Sequence, residues 1–340
     1  MTLDACVNLF PHGDDRIPKG RVTSARWLVT AFIYVILLRL GLYAWSAEYR
    51  TDFDLLYYAA AQLLQGQNPY LVATNWYPLF YPMPAVLLGV PFTTLPIGLA
   101  RPVFDILVGL LFAFALLRAR GPYALLALLS GTYLYAMRNG QTTPLVVAAG
   151  LLPVCGFLLA VKPNTGLALW LARPNRTAVI GVIAFLFISL LLLPSWPRDW
   201  WVALQQNNAH LLPPIMRPFG WLLLLAGLSW RTPEGRLLFV LAFIPQSTLP
   251  HELVPLAIIP ANILEMSIYV AGSWVALAFT AAEQERASSI AALASTIWPT
   301  LLVSVYLPML WLVLRRQLAF WKQGRLENRP AEMGGTGNGP

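Results

Sequence analysis

Long apolar runs punctuated by short polar clusters dominate this chain. Residues 27–46, 101–118, 122–137, 143–161, 177–195, 219–230, 237–250, 253–282 and 290–314 are built mainly of Leu, Ile, Val, Phe and Ala. Runs of this kind predict membrane helices, because about 20 helical residues cross the hydrocarbon core of a bilayer. A membrane β-barrel would instead show short segments alternating at period two, and none is visible. The expected fold is therefore all-α: a polytopic integral membrane protein with roughly nine to eleven membrane segments. Two stretches are ambiguous. Residues 83–98 are interrupted by Pro84, Pro91 and Pro96 and read either as a thin span or as a re-entrant piece. Residues 253–282 are long for one span and read either as one or as two short passages broken near Glu265.

Orientation follows from where the positive charges lie. Residues 1–25 hold Arg16, Lys19 and Arg21, with Arg26 next to them, and lack the apolar core and cleavage site of a secretory signal. They read as a cytoplasmic tail. Arg118, Arg120, Lys162, Arg173, Arg176, Arg231, Arg236 and the basic stretch 315–325 mark further cytoplasmic ends, with Lys162 anchoring the inner end of span 143–161. The domain plan is thus a tail (1–25), one transmembrane domain (26–314) and a basic cytoplasmic tail (315–340) whose last residues are expected to be disordered. Loops 47–82 and 195–220, the turn Arg138–Gln141 and residues 250–252 fall on the outer side of the cell membrane. Arg39 lies inside the first span, either snorkelling to the outer interface or facing an internal cavity.

Composition sharpens this picture. Of the 340 residues 58% are hydrophobic and 11% charged, against about 25% charged in soluble domains. The net charge of +8 sits at span ends, so it reads as topology and not as nucleic-acid binding. The two cysteines, Cys6 and Cys155, suggest neither a disulfide framework nor a metal site. No phosphate-binding glycine loop, zinc signature or nucleophile elbow is present, and no metal or cofactor is expected.

Chemistry is concentrated in the outer loop, where Asp52, Asp54, Tyr57, Tyr58, Asn68 and Tyr70 follow one another. A carboxylate at the mouth of an apolar cavity can serve as general base for an attacking hydroxyl. The structural alternative is a pair of acids capping the next helix. Tyr57, Tyr58, Trp76, Tyr77, Trp200 and Trp201 suit stacking on sugar faces, or equally an interfacial aromatic belt. Asp105 and Glu265 are acids placed within apolar segments and are functional candidates on that ground.

The run Asp52-Phe53, Tyr57, Ala59-Ala60, Leu63-Leu64, Gly66, Asn68-Pro69-Tyr70 resembles the signature of glycosyltransferase family 87. Tyr81-Pro82-x-Pro84, Asn139-Gly140-Gln141 and Val161-Lys162-Pro163 resemble that family's later landmarks in order, with Met83 interrupting the proline pair. The resemblance covers about residues 27–175. It implies a C-type glycosyltransferase fold that uses a polyprenyl-phosphate sugar donor, usually of mannose, and a lipid or glycan acceptor among the membrane lipids. It implies Asp52 as catalytic base, with Asp54 second. Arg138, Asn139, Gln141, His210, His251 and Arg217 are then candidates for donor contacts, with His251 first for the phosphate.

Overall fold

The computed structural model describes residues 21–46, 50–72, 78–205 and 211–327. The tail 1–20, Trp76, Tyr77, His210 and the end 328–340 lie outside them. The described chain is helical throughout, with one isolated bridge between Leu212 and Gln246 in place of any strand. Among the described residues three helices are long and apolar enough to cross a membrane: Ile97–Arg120, Ile263–Gln284 and Ile290–Ala319. A fourth candidate, Arg176–Leu192 with Trp196–Gln205, bends by 95° at its break. This is an all-helical protein of membrane type, but most of the nine to eleven expected segments are shorter pieces.

In chain order the α-helices are α1 (Arg21–Ser46), α2 (Asp52–Leu64), α3 (Met83–Gly89), α4 (Ile97–Arg120), α5 (Gly131–Arg138), α6 (Thr143–Leu151) and α7 (Pro163–Ala172). They continue with α8 (Arg176–Leu192), α9 (Trp196–Gln205), α10 (Pro233–Phe243), α11 (Ile263–Gln284), α12 (Ile290–Leu301) and α13 (Leu307–Glu327). Between them run 3₁₀ helices at Pro122–Leu129, Pro153–Val161, Gly220–Ser229 and Pro250–Ile258. Three of these four open on a proline, which cannot donate back to a preceding turn.

The apolar stretch 143–161 was expected to cross the membrane once. It instead forms α6 and a 3₁₀ helix that fold back on each other, and the Lys162 ammonium at its end donates to Thr143 Oγ1 at its start, at 2.9 Å. Nine residues reach only about 14 Å as an α-helix and about 18 Å as a 3₁₀ helix, so each limb is too short to span. Lys162 thus returns to the end at which the stretch began. Residues 83–98 likewise divide, into α3 and the 3₁₀ turn Val90–Thr94. Residues 253–282 break at 259–262, just ahead of Glu265.

Four of the arginines that follow apolar runs close helix ends: Arg120, Arg236, Arg315 and Arg316. Arg120 bridges Glu234 (2.9 Å) and the Ile258 carbonyl. Arg236 donates to the carbonyls of Leu171 and Ala172 at the end of α7. Arg315 and Arg316 close on Glu265, and Arg316 also holds the Ile259 carbonyl. Cations thus satisfy the carbonyls that helix ends leave unpaired. Arg39 does not snorkel. It is 3% exposed and pairs with Asp105 at 2.5 Å, so α1 and α4 are tied by a buried ion pair. Both Asp105 and Glu265 are in this way engaged in holding helices together. The last segment passes through a π-helical turn, Leu302–Tyr306. There Pro308 deprives the Ser304 carbonyl of its usual donor, and Gly272 of α11 packs against that carbonyl so closely that a Cβ would lie 1.9 Å from it.

Candidate functional site

The loop after α1 enters α2 with Thr51 as N-cap. Asp54, at the third helical position, accepts from the Thr51 amide at 2.7 Å, as a capping box requires. The same carboxylate is fully buried and takes a bidentate contact from Arg101 of α4, at 2.6 and 2.8 Å. These contacts engage both carboxylate oxygens of Asp54 and give it a structural part in joining α2 to α4. Phe53 locks the helix from the next position. Its ring stacks on Phe104 at 4.3 Å and meets Phe92 edge-on at 5.4 Å.

Asp52 is turned the other way, into a cavity of about 830 Å³. Its backbone amide donates to the Asn139 carbonyl at 3.0 Å. Its Oδ2 accepts from Tyr81 Oη at 2.7 Å and from Gln141 Nε2 at 2.6 Å. Oδ1 makes no hydrogen bond among the described residues. One oxygen is fixed and the other is available. Burial, and then the charge of Asp52, raise the Tyr81 phenol well above its ordinary value, so it stays a donor. At the first turn of α2 the carboxylate also lies at the positive end of the helix dipole.

Gly140 sets the turn that delivers Gln141. It has φ +60, and a Cβ there would meet Thr51 Oγ1 at 2.9 Å and Phe53 Cβ at 3.0 Å. Gly140→Ala is therefore expected to cost roughly 1–3 kcal/mol of stability and to loosen the Gln141–Asp52 bond. Thermal unfolding in detergent measures the first effect, and Asp52-dependent activity the second.

The same cavity is lined by Lys162, His251 and Glu252. Lys162 Nζ lies 3.1 Å and His251 Nε2 3.5 Å from Glu252 Oε1, and Ser247 Oγ donates to the same oxygen at 3.2 Å. The His251 ring lies parallel to Tyr135 at 6.0 Å. Burial opposes ionisation of Glu252, but Lys162 and His251 outweigh it and hold the carboxyl below its usual range. A carboxylate depressed in the folded state stabilises the fold above its unfolded value, about 4.3, and loses that contribution as pH falls. The melting temperature is thus expected to be flat around neutrality and to decline below about pH 5, with a shallower decline in Glu252→Gln.

Of the residues singled out in the sequence, the cavity receives Asp52, Asn139, Gln141, His251 and Trp200. Asn139 contributes its position, since its side chain donates to the Tyr135 carbonyl at 2.7 Å. Others stand elsewhere. Tyr57 donates to the Leu95 carbonyl at 2.8 Å, and Tyr58 packs edge-on against it. Asn68 donates to Asp199 of α9 at 2.7 Å, and Tyr70 to the Tyr81 carbonyl at 2.9 Å. Asn68 thus ties the loop to α9 and Tyr70 ties it to its own later part, and neither lines the cavity. Arg138, Arg217 and Trp201 are also absent from its lining. Lys162, Tyr81 and Glu252 went unrecognised as site residues. Tyr81 and Lys162 each stood inside a landmark of the family resemblance, and Glu252 stood next to His251.

Apolar residues of α9, Leu211 and the start of α12, among them Leu204, Ile290 and Leu293, complete the lining. The cavity therefore has a polar interior and an apolar flank. Among the described residues no cluster of three His, Cys, Asp or Glu side chains is placed to hold a metal ion. No protein-family model, curated protein or solved structure matches this chain.

Proposed function

We propose that this protein is a membrane glycosyltransferase of the C-type architecture. It moves a hexose, with mannose the first choice, from a polyprenyl-phosphate sugar to a hydroxyl of a lipid or glycan acceptor on the non-cytoplasmic face of the cell membrane. The observation that carries the reading is the state of Asp52: one carboxylate oxygen anchored by Tyr81 and Gln141, the other unengaged, on the wall of a cavity with an apolar flank.

The chemistry is a single displacement. Asp52 Oδ1 takes the proton of the acceptor hydroxyl as its oxygen forms a bond to the anomeric carbon. The bond from that carbon to the phosphate oxygen breaks, and the lipid phosphate leaves with the electron pair. Lys162 and His251, which line the same cavity, stabilise the charge that develops on the departing phosphate. The likeness of residues 52–70 to glycosyltransferase family 87 supports the same reading.

The test supplies purified protein in liposomes with polyprenyl-phosphate-mannose and a membrane lipid extract. A mannosylated product together with free polyprenyl phosphate is the expected result. Movement of the lipid between leaflets with no glycosyl product would identify a transporter or flippase and overturn the reading.

A further inference from the structure

Arg217 is a covered cation with nothing to hold. It is 6% exposed, and its Nε is closed off from solvent without a hydrogen-bond partner. Its two terminal nitrogens also make no hydrogen bond or ion pair among the described residues, but they are not closed off as Nε is. The buried acids are engaged elsewhere: Asp105 with Arg39, Glu252 with Lys162, and Glu265 with Arg315 and Arg316. Among the described residues the group that acts on the Arg217 charge is Tyr306, a phenol, which is neutral near pH 7.

The turn that carries this arginine is firmly held. The Arg217 amide donates to the Pro214 carbonyl at 3.1 Å, and the Arg217 carbonyl accepts from Gly220 at 2.9 Å. Phe219 takes a left-handed conformation, φ 59, which is unfavourable for a bulky side chain and persists only where the surroundings impose it. Trp298, within the candidate span Ile290–Ala319, donates through Nε1 to the Pro218 carbonyl at 2.7 Å. The turn is thereby pinned to the flank of that helix. Next to the arginine in the chain, Met216, Phe219 and Trp221 are exposed. Apolar side chains left open beside a span face lipid.

A charge in such a place is costly unless it is paired. No partner comes from the described chain, so the matching anion comes from outside it, and the apolar neighbours favour one that brings hydrocarbon. A phosphodiester fits on both counts. Its two free oxygens match the guanidinium fork, and its single negative charge matches the single positive one.

We infer that Arg217 anchors an anionic phospholipid: its guanidinium holds the phosphodiester, and Met216, Phe219 and Trp221 pack on the acyl chains. The site lies outside the reaction cavity, which Arg217 does not line, and it stands whether or not the protein transfers a sugar.

The test is native mass spectrometry of the detergent-solubilised full chain, titrated with dilauroyl phosphatidylglycerol and with dilauroylglycerol, which has the same chains and no phosphate. Wild type is expected to bind the phospholipid at least about tenfold more tightly. Arg217→Gln is expected to remove that margin and Arg217→Lys to keep part of it, while Arg231→Gln, at an exposed arginine elsewhere, leaves it intact. Equal binding of the two lipids by wild type, or an unchanged margin in folded Arg217→Gln, overturns the inference. Displacement of the phospholipid by an equal concentration of inorganic phosphate would assign the site to the free ion, and tighter Arg217-dependent binding of farnesyl methyl phosphate would assign it to the sugar donor; either result overturns it too. In lipid-free detergent Arg217→Gln is expected to melt no lower than wild type, because it removes a covered charge that has no partner. A variant too unstable to fold would show that Arg217 already has a partner within the protein, and would overturn the inference.

Discussion

Asp52→Asn is expected to lower sugar transfer by about 10²–10⁴-fold, the usual contribution of a general base, while donor binding stays within about threefold. The substitution keeps size, and the amide oxygen can take the place held by Tyr81 and Gln141, so the group facing the acceptor becomes an NH2 with no basicity. The two cases separate because the proposed phosphate contacts, Lys162 and His251, are side chains other than Asp52 in the same cavity. Transfer rates with saturating donor, alongside equilibrium binding of the same donor, measure both quantities. A variant that retains transfer within about tenfold would remove Asp52 from the chemistry.

The second large effect is structural. Arg101→Met leaves the Asp54 carboxylate, fully buried, without its bidentate partner. Breaking a buried pair from one side costs about 3–5 kcal/mol. The double variant Arg101→Met/Asp54→Asn removes the orphaned charge as well and is expected to recover part of that loss. Thermal unfolding of the single and double variants reads the difference. The loss of activity in Arg101→Met should track its unfolding, because Arg101 touches neither Asp52 nor the cavity.

Much of the fold class was legible in hydropathy, and the reason it stopped there is physical. Apolar length reports that a segment avoids water; it does not report whether the segment crosses or turns back. Residues 143–161 are apolar enough for one span, yet Leu152-Pro153 divides them into two limbs of nine residues. Lys162 then closes the hairpin on Thr143. A lysine behind an apolar run looks like a cytoplasmic anchor, so its place in the cavity was hidden. The arginines at helix ends, Arg120 and Arg236 among them, were readable because basic residues collect where apolar runs stop. Asp52 and Asp54 show the limit at the scale of one turn. They lie two residues apart on a helix and so face different directions, one into the cavity and one onto Arg101. Their residue types alone do not say which is which. The spacing to Leu63-Leu64 and Gly66 singled out Asp52. By contrast, the aromatic and amide residues of the loop, Tyr57, Asn68 and Tyr70, spend their polar atoms on backbone and on α9.

The central claim is that Asp52 deprotonates an acceptor for one direct displacement at the anomeric carbon. The most direct measurement is the anomeric configuration of the transferred hexose, read by NMR on the product of wild-type protein supplied with a polyprenyl-phosphate sugar of known anomer. A configuration opposite to that of the donor is predicted. Retention of the donor's configuration, or the absence of any glycosyl product from folded protein, would contradict the account.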